Sequence, residues 1–167
     1  MTKYFKYLHY ILKHKYYVFI ECCKLGIPWL GIIHDCSKFR PSEFFPYADH
    51  FFGPGSDGMN TGRDKTGYYS TRNMKDEKFK FALFLHLKRN KHHWQWWILS
   101  TSDGEHSREI PNKYFKEMLG DWKGASKSIK NPTPAVVWYT KNRKNLKFNK
   151  ETRKKLDDMF LKKGNKK

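Results

Sequence analysis

The chain has 167 residues, of which 34 are Lys or Arg and 16 are Asp or Glu, giving a formal net charge of +18 at pH 7. Aromatic residues form 17% of the sequence, which excludes intrinsic disorder despite the high charge. This length suits one domain with one hydrophobic core. The charge would attract phosphate groups or nucleic acid, and the alternative is that the scattered lysines are only solvated surface residues.

The first half of the chain predicts three helical segments. Apolar residues recur at intervals of three and four over residues 3–25, which is the period of one helical face, and Gly26 follows as a stop signal. A short helical piece is expected over residues 29–39, and a proline begins the next helix, over residues 41–52.

The middle of the chain begins with a loop and continues with a long helix. Residues 53–67 contain five glycines, so we predict a mobile loop that is either disordered or lies over a site. A helix is predicted from Asp76 to Leu99, either continuous or broken near Asn90, and residues 101–112 form a polar connection.

The C-terminal part predicts further helices, over residues 112–125, 134–145 and 149–162. Asn149 suits the N-cap of the last, strongly basic helix. Alternating strands and internal repeats are not recognised, so the predicted class is all-α. We expect one helical domain over residues 1–140, with residues 141–167 forming a basic C-terminal helix and tail.

Cysteine usage and the N-terminus predict a cytoplasmic protein. Cys22, Cys23 and Cys36 contain no Cys-x-x-Cys pair and are expected to be small buried thiols in a reducing compartment. The N-terminus has no signal-peptide pattern, and the longest near-apolar run, residues 25–33, is too short to span a bilayer. We therefore expect no membrane partner.

The dipeptide His34-Asp35 directly follows an apolar run. Both side chains can bind a transition metal, and neither is stable in a core without a partner. A structural role is the alternative, in which Asp35 caps the turn before Ser37 and His34 bonds a backbone carbonyl. Lys38 would share a helical face with His34, where its ammonium could neutralise a phosphate.

Further candidate ligands lie in apolar settings. His14 belongs to the apolar face of the first helix, and His86 lies in one of the most apolar stretches. On an unbroken helix His93 shares the face of His86, whereas a break at Asn90 would turn His92 inward. For each, the alternative is a histidine that only packs in the core.

Asp121 shares a helical face with Tyr114, Met118 and Ala125. A carboxylate on that face needs a cation, a metal or hydrogen-bond donors, and a core salt bridge is the alternative to metal binding. Cys36 is interpreted as an inert thiol, since nothing in the sequence orients His34 to activate it.

In the order His14, His34-Asp35 and Asp121, the chain resembles the HD-domain superfamily of metal-dependent phosphohydrolases. The resemblance implies a compact HD-like helical bundle in which these residues hold a divalent transition metal (Mn, Fe, Co, Ni or Zn). The segment His34-Asp-Cys-Ser-Lys38 is also similar to the form found in cyclic-dinucleotide phosphodiesterases of this superfamily.

Superfamily members with two metals carry extra histidines between the doublet and the last Asp, where His86, His92 and His93 lie. The resemblance therefore implies a second ion on His86 and His92. Catalytic roles fall to Asp35, to Lys38 as the group that stabilises charge on phosphate, and to His93 as a proton donor to the leaving oxygen.

The chain also resembles, more closely, a family of small bacterial and phage proteins named only as a domain of unknown function. Five segments carry this resemblance: His14-Lys-Tyr-Tyr-Val18, His34-Asp-Cys-Ser-Lys-Phe39, Glu43-Phe-Phe-Pro-Tyr47, His92-His-Trp-Gln-x-Trp97 and Asp121-Trp-x-Gly-Ala125.

We therefore predict a phosphatase or phosphodiesterase that hydrolyses a phosphoester of a nucleotide or a cyclic nucleotide signal. Its expected substrate-binding residues are Lys38, Glu43, Trp94 and Trp122, since a base can stack on the aromatic rings. Two alternatives stay open at this point: a di-iron oxygenase on the same scaffold, and a non-catalytic basic protein that binds nucleic acid.

Overall fold

The computed structural model describes residues 2–68, 75–129 and 133–161, which form a predominantly helical molecule, as predicted. Its helices are α1 (Lys3–Lys24), α2 (Pro28–Ile33), α3 (Pro41–Phe52), α4 (Glu77–Arg89), α5 (Asn112–Ser128), α6 (Ala135–Asn142) and α7 (Lys150–Phe160). A two-stranded antiparallel hairpin, β1 (Ile98–Thr101) and β2 (Gly104–Ser107), lies between α4 and α5.

Helices α1 and α5 form the largest helix contact of the described residues. The buried face of α1 has the predicted spacing of three and four residues and consists of Tyr7, Ile11, His14, Val18, Glu21 and Cys22. Glycines of α5 allow a close approach, because a Cβ added at Gly124 would lie 2.7 Å from the backbone nitrogen of Val18. The two helices that carry His14 and Asp121 therefore lie against each other.

The segment predicted as one helical piece over residues 29–39 is divided at the His-Asp doublet. Helix α2 ends at Ile33, and a separate 3₁₀ turn covers Cys36–Phe39. Between them Asp35 has φ 54° and ψ 22°, the one positive φ of a non-glycine residue in the described chain. Such a conformation costs about 1–3 kcal/mol and here it directs two polar side chains into the interior.

The predicted alternative of a break near Asn90 is confirmed, and the continuation of the helix to Leu99 was wrong. Helix α4 ends at Arg89, where the Asn90 side chain donates to the His86 carbonyl oxygen over 2.8 Å. A 3₁₀ turn and strand β1 follow, and β2 occupies part of the predicted polar connection. The loop of this hairpin is Ser102-Asp103, and Gly104, with φ 123°, begins β2 in a conformation that favours glycine.

The core contains two clusters of buried apolar side chains. One joins α1, α3 and α4 and consists of Tyr7, Ile11, Tyr47, Ala48, Phe51, Phe79 and Ala82. The other joins α5, α6 and α7 and consists of Ile110, Phe115, Met118, Leu119, Tyr139, Leu146 and Leu156. Asn149 caps α7 as predicted, accepting from the Thr152 amide over 2.8 Å. Residues 162–167 of the predicted tail lie outside the described residues.

The cysteine prediction was wrong for two of three thiols. Cys22 is buried between α1 and α5, but Cys23 and Cys36 are exposed. Within the described ranges, no helix has the length and apolar character required to cross a membrane.

Candidate metal centre

Three parts of the chain bring His14, His34, Asp35 and Asp121 together. Nε2 of His14 lies 3.4 Å from Asp35 Oδ2 and 3.3 Å from Asp121 Oδ1. Nε2 of His34 lies 3.4 Å and 3.5 Å from the same two oxygens. The four residues predicted as one ligand set therefore meet at one point between α1, the break after α2, and α5.

A second pair of histidines faces the other oxygen of Asp35. Nε2 of His86 and Nε2 of His92 each lie 3.5 Å from Asp35 Oδ1. Although only six residues separate His86 and His92 in sequence, both reach Asp35, because α4 ends at Arg89 and the chain then turns back towards the centre. Asp35 thus has the position of a carboxylate that bridges two ligand sets.

The break at Asn90 decides the alternative between His92 and His93. It turns His92 into the interior, where the side chain is 1% exposed. His93 is half-buried and also reaches the site, with its Nε2 2.8 Å from His86 Nε2. Ligand atoms of Asp35, His86, His92 and His93 all lie within 4.8 Å of one another, so His93 is a candidate ligand as well as the predicted proton donor.

Buried polar atoms without hydrogen bonds mark the same point. Among the described residues they include Nε2 of His14, His34 and His92, and Oδ1 of Asp35. Leaving such atoms unsatisfied is costly, so the group needs a cation or another ligand. Metal–nitrogen bonds of about 2.0–2.1 Å place two ligand atoms of one ion about 3.0–3.4 Å apart, close to the separations observed here.

Carboxylates hold the opposite ring nitrogens of His34, His92 and His86, whereas Nδ1 of His14 makes no hydrogen bond. Glu117 Oε1 lies 3.1 Å from Nδ1 of His34 and 3.2 Å from Nδ1 of His92. Glu43 Oε2 lies 3.0 Å from Nδ1 of His86. A carboxylate beside Nδ1 favours the tautomer with the proton there, which leaves the Nε2 lone pair free for a metal.

Glu117 was not identified from the sequence, although it lies on α5 four residues before Asp121 and so shares its helical face. Glu43 was predicted to bind substrate, but the structure places it behind His86. It is fully buried and also bonded by Arg89 and Ser37, and it does not line the cavity described below.

Positively charged groups and hydrogen-bond donors lower the pKa values of the carboxyl groups in the centre. Burial raises the pKa of Asp35, but the charges of His34 and Lys38 more than offset this and hold it well below its usual range. Burial likewise raises the pKa of Glu117, and hydrogen bonds from His34 and His92 lower it below the ordinary value. Both carboxylates are therefore ionised near neutral pH. Burial lowers the pKa of His34, but the charge of Asp35 and hydrogen bonds to both carboxylates raise it well above its ordinary value, so a metal ion would have to replace the proton on that ring.

The centre opens into a cavity of about 830 Å³. Lys38 lines it, with its Nζ 2.6 Å from Asp35 Oδ2, so an ammonium faces the space directly beside the bridging carboxylate. The predicted substrate-binding residues Trp94 and Trp122 also line it, and Trp138 lies 5.1 Å from Trp122 between ring centroids. The cavity thus joins a metal-ligand cluster to an aromatic wall.

The glycine-rich segment 53–67 lies over this cavity, which is one of the two alternatives predicted for it. Met59, Asn60, Arg63 and Gly67 are among the lining residues. Arg63 Nη1 donates to the Gly67 carbonyl oxygen over 2.6 Å, and Thr66 Oγ1 donates to Asn142 Oδ1 over 2.8 Å. Hydrogen bonds therefore connect residues within the segment and also connect the segment to α6.

Comparison with known proteins identifies a family without naming an activity. The family model described as a family of unknown function, DUF5662, matches residues 3–162. No curated protein and no solved structure matches the chain. The predicted resemblance to a family of unknown function is thus supported, while the relation to the HD superfamily stays a prediction.

Proposed function

The chain belongs to the DUF5662 family of unknown function, and we propose that it is a metal-dependent phosphohydrolase acting on a phosphoester of a nucleotide. One observation carries the proposal: the two oxygens of Asp35 face separate histidine pairs, His14 with His34 and His86 with His92. A carboxylate that bridges two metals is typical of enzymes that displace groups at phosphorus.

The donor set favours Mn, Fe, Co, Ni or Zn, since imidazole and carboxylate ligands together suit transition metals better than Ca. His14, His34, Asp35 and Asp121 would hold the first ion. The second would take His86 and His92, with the other oxygen of Asp35. When bound, such ions lower the pKa of a coordinated water and polarise a phosphoryl oxygen.

The protein's own residues would hold and orient the phosphate. Lys38 presents an ammonium to the cavity beside Asp35, where it would stabilise negative charge that develops on phosphate oxygens. His93 lines the same cavity and would serve as an additional ligand beside His86. Burial and the charges of His92 and His86 hold the pKa of His93 well below its ordinary value, which disfavours its predicted role as proton donor to the leaving oxygen. The net charge of +18 would attract anionic substrates to the surface.

The proposal is tested by elemental analysis of the purified protein after reconstitution with Mn, Fe, Co or Zn. We expect two ions in the wild type, at most one in His86→Ala and none in Asp35→Ala. Asp49→Ala, which removes an exposed carboxylate on α3, is the matched control and should keep both ions. Absence of metal from the wild type, or equal metal in Asp35→Ala, would overturn the metal centre.

Hydrolysis is tested separately on the loaded protein. The panel contains p-nitrophenyl phosphate, bis-p-nitrophenyl phosphate, nucleoside monophosphates and cyclic nucleotides, and we expect release of product that Asp35→Ala abolishes. Two results would replace the proposal. Oxygen consumption with a visible-range iron spectrum would support a di-iron oxygenase, and nucleic-acid affinity that persists without metal or turnover would support a binding protein.

A further inference from the structure

Two polar atoms of the cavity lining are buried and make no hydrogen bond, in addition to those of the metal centre. They are the Tyr7 hydroxyl and Gln95 Oε1. Native proteins satisfy nearly all buried polar atoms, and exceptions that line a cavity indicate groups that a ligand satisfies. Neither atom has a part in the metal centre described above.

The Tyr7 hydroxyl belongs to the same cavity lining as the Lys38 ammonium. The Tyr7 side chain is fully buried on α1, with the Tyr47 ring 6.1 Å away between centroids. Burial raises the pKa of Tyr7, the Lys38 ammonium lowers it, and the charges of Asp35 and Glu43 raise it further, so the hydroxyl stays protonated and can donate. A neutral hydroxyl and an ammonium in one cavity can both donate to an anionic oxygen.

Gln95 belongs to the aromatic side of the cavity. Gln95 lies in the 3₁₀ turn Trp94–Trp97, which directly follows His92 and His93. The backbone that positions these two histidines therefore also positions Gln95. The neighbouring Trp94 lines the cavity together with Trp122 and Trp138. Indole faces stack on nucleobases, and the carbonyl oxygen of a glutamine accepts from an exocyclic amino group.

We propose that Tyr7 and Gln95 are positioning residues for a nucleoside 5′-monophosphate. Tyr7 donates to a phosphate oxygen beside Lys38, and Gln95 accepts from an exocyclic amino group of the base, which lies against Trp122 and Trp138. This proposal rests on the proposed phosphohydrolase function, because that function identifies the anionic group of the ligand as a phosphate.

Binding is measured on the metal-loaded protein by stopped-flow quenching of tryptophan fluorescence, which reports occupancy before turnover. The probes are AMP, purine riboside 5′-monophosphate, which lacks the exocyclic amine, and adenosine, which lacks the phosphate. We expect the wild type to bind AMP about tenfold more tightly than the purine riboside nucleotide. Gln95→Met should abolish this preference, and Gln95→Glu, which keeps an acceptor, should retain it.

Tyr7→Phe should weaken binding of both nucleotides about tenfold and leave adenosine binding unchanged. Tyr16→Phe removes an exposed hydroxyl from the same helix and is the matched control, with no expected change. Equal affinity of the wild type for AMP and the purine riboside nucleotide overturns the role of Gln95. A Tyr7→Phe variant with unchanged AMP affinity overturns the role of Tyr7.

Hydrolysis of p-nitrophenyl phosphate separates the two proposals, because this ester has no base. Metal-dependent turnover of this ester without AMP binding would overturn the positioning roles and leave the phosphohydrolase function standing. AMP binding with the predicted variant effects, but without turnover of any phosphoester, would overturn the phosphohydrolase function and leave the binding site standing.

Discussion

Nδ1 of His34 lies 3.1 Å from Oε1 of Glu117, although 83 residues separate them in sequence. The same oxygen lies 3.2 Å from Nδ1 of His92. One carboxylate therefore orients one histidine from each of the two sets that face Asp35. The two candidate ion sites share a supporting group as well as a bridging one.

Glu117→Gln is expected to lower metal affinity about 10–100-fold, the usual effect of removing a carboxylate that supports ligating histidines. The amide oxygen could still accept from both Nδ1 groups, because both contacts are made to the single oxygen Oε1, but without the negative charge it is a weaker acceptor. Competition with a chromophoric chelator measures the change. Glu77→Gln, at an exposed position of α4, is the control and should bind metal like the wild type. Unchanged affinity in Glu117→Gln would show that the histidines are held by packing alone.

Removal of metal is expected to lower the melting temperature. A ligand at 100 times its Kd stabilises the native state by about 2.7 kcal/mol. In a protein of this size that corresponds to a shift of about 5–10 °C. Thermal unfolding with chelator and with added Mn or Zn measures it. The Asp35→Ala variant should show no metal-dependent shift, and an equal shift in that variant would place the stabilising ion elsewhere.

Gly124→Ala is expected to destabilise the fold by about 1–3 kcal/mol or more, because the new methyl group meets backbone atoms of α1. The added Cβ would lie 2.7 Å from Val18 N and 2.8 Å from Val18 Cα. Gly120→Ala should cost less, since its nearest contact is the Cys22 side-chain sulfur at 2.8 Å, which can move. Urea unfolding measures both variants, and equal stability losses would contradict the backbone explanation.

The α6–α7 contact is expected to weaken in acid. Hydrogen bonds from Arg143 hold the pKa of Asp157 below its ordinary value, and the Tyr139 hydroxyl donates to the same carboxylate over 2.7 Å. A folded-state pKa below the unfolded value stabilises the fold above the unfolded pKa, and this stability is lost as pH falls through the folded pKa.

Asp157→Asn should therefore cost about 1–2 kcal/mol at pH 7, an amount reduced from that of a buried pair because Arg143 is 42% exposed. The difference from the wild type should shrink as pH falls below the model-peptide Asp pKa near 3.9 and through the lowered pKa of folded Asp157. Thermal unfolding of both proteins between pH 7 and pH 2.5 measures it. Glu151→Gln, exposed on α7, is the control. A difference that does not shrink at all between pH 7 and pH 2.5 would contradict the role of the Asp157 charge.

Much of the helical architecture follows from local patterns in the sequence. The 3.6-residue apolar period located α1 and α5 within a few residues, and Asn149 marked the start of α7. The same reasoning was wrong between Asn90 and Ser107, where a hairpin replaces the predicted end of a helix. Periodicity does not separate a short apolar strand from the continuation of an apolar helix.

The sequence by itself determined which side chains are suited to a metal and which helix faces carry them, because residue type and helical period are local properties. Only the tertiary structure decided that Asp35 presents its two oxygens to two histidine pairs, since the left-handed backbone at Asp35 and the turn after Arg89 set those directions. The supporting role of Glu117 depends on contacts between residues far apart in the chain, and such contacts arise only when α1, α5 and the doublet pack together.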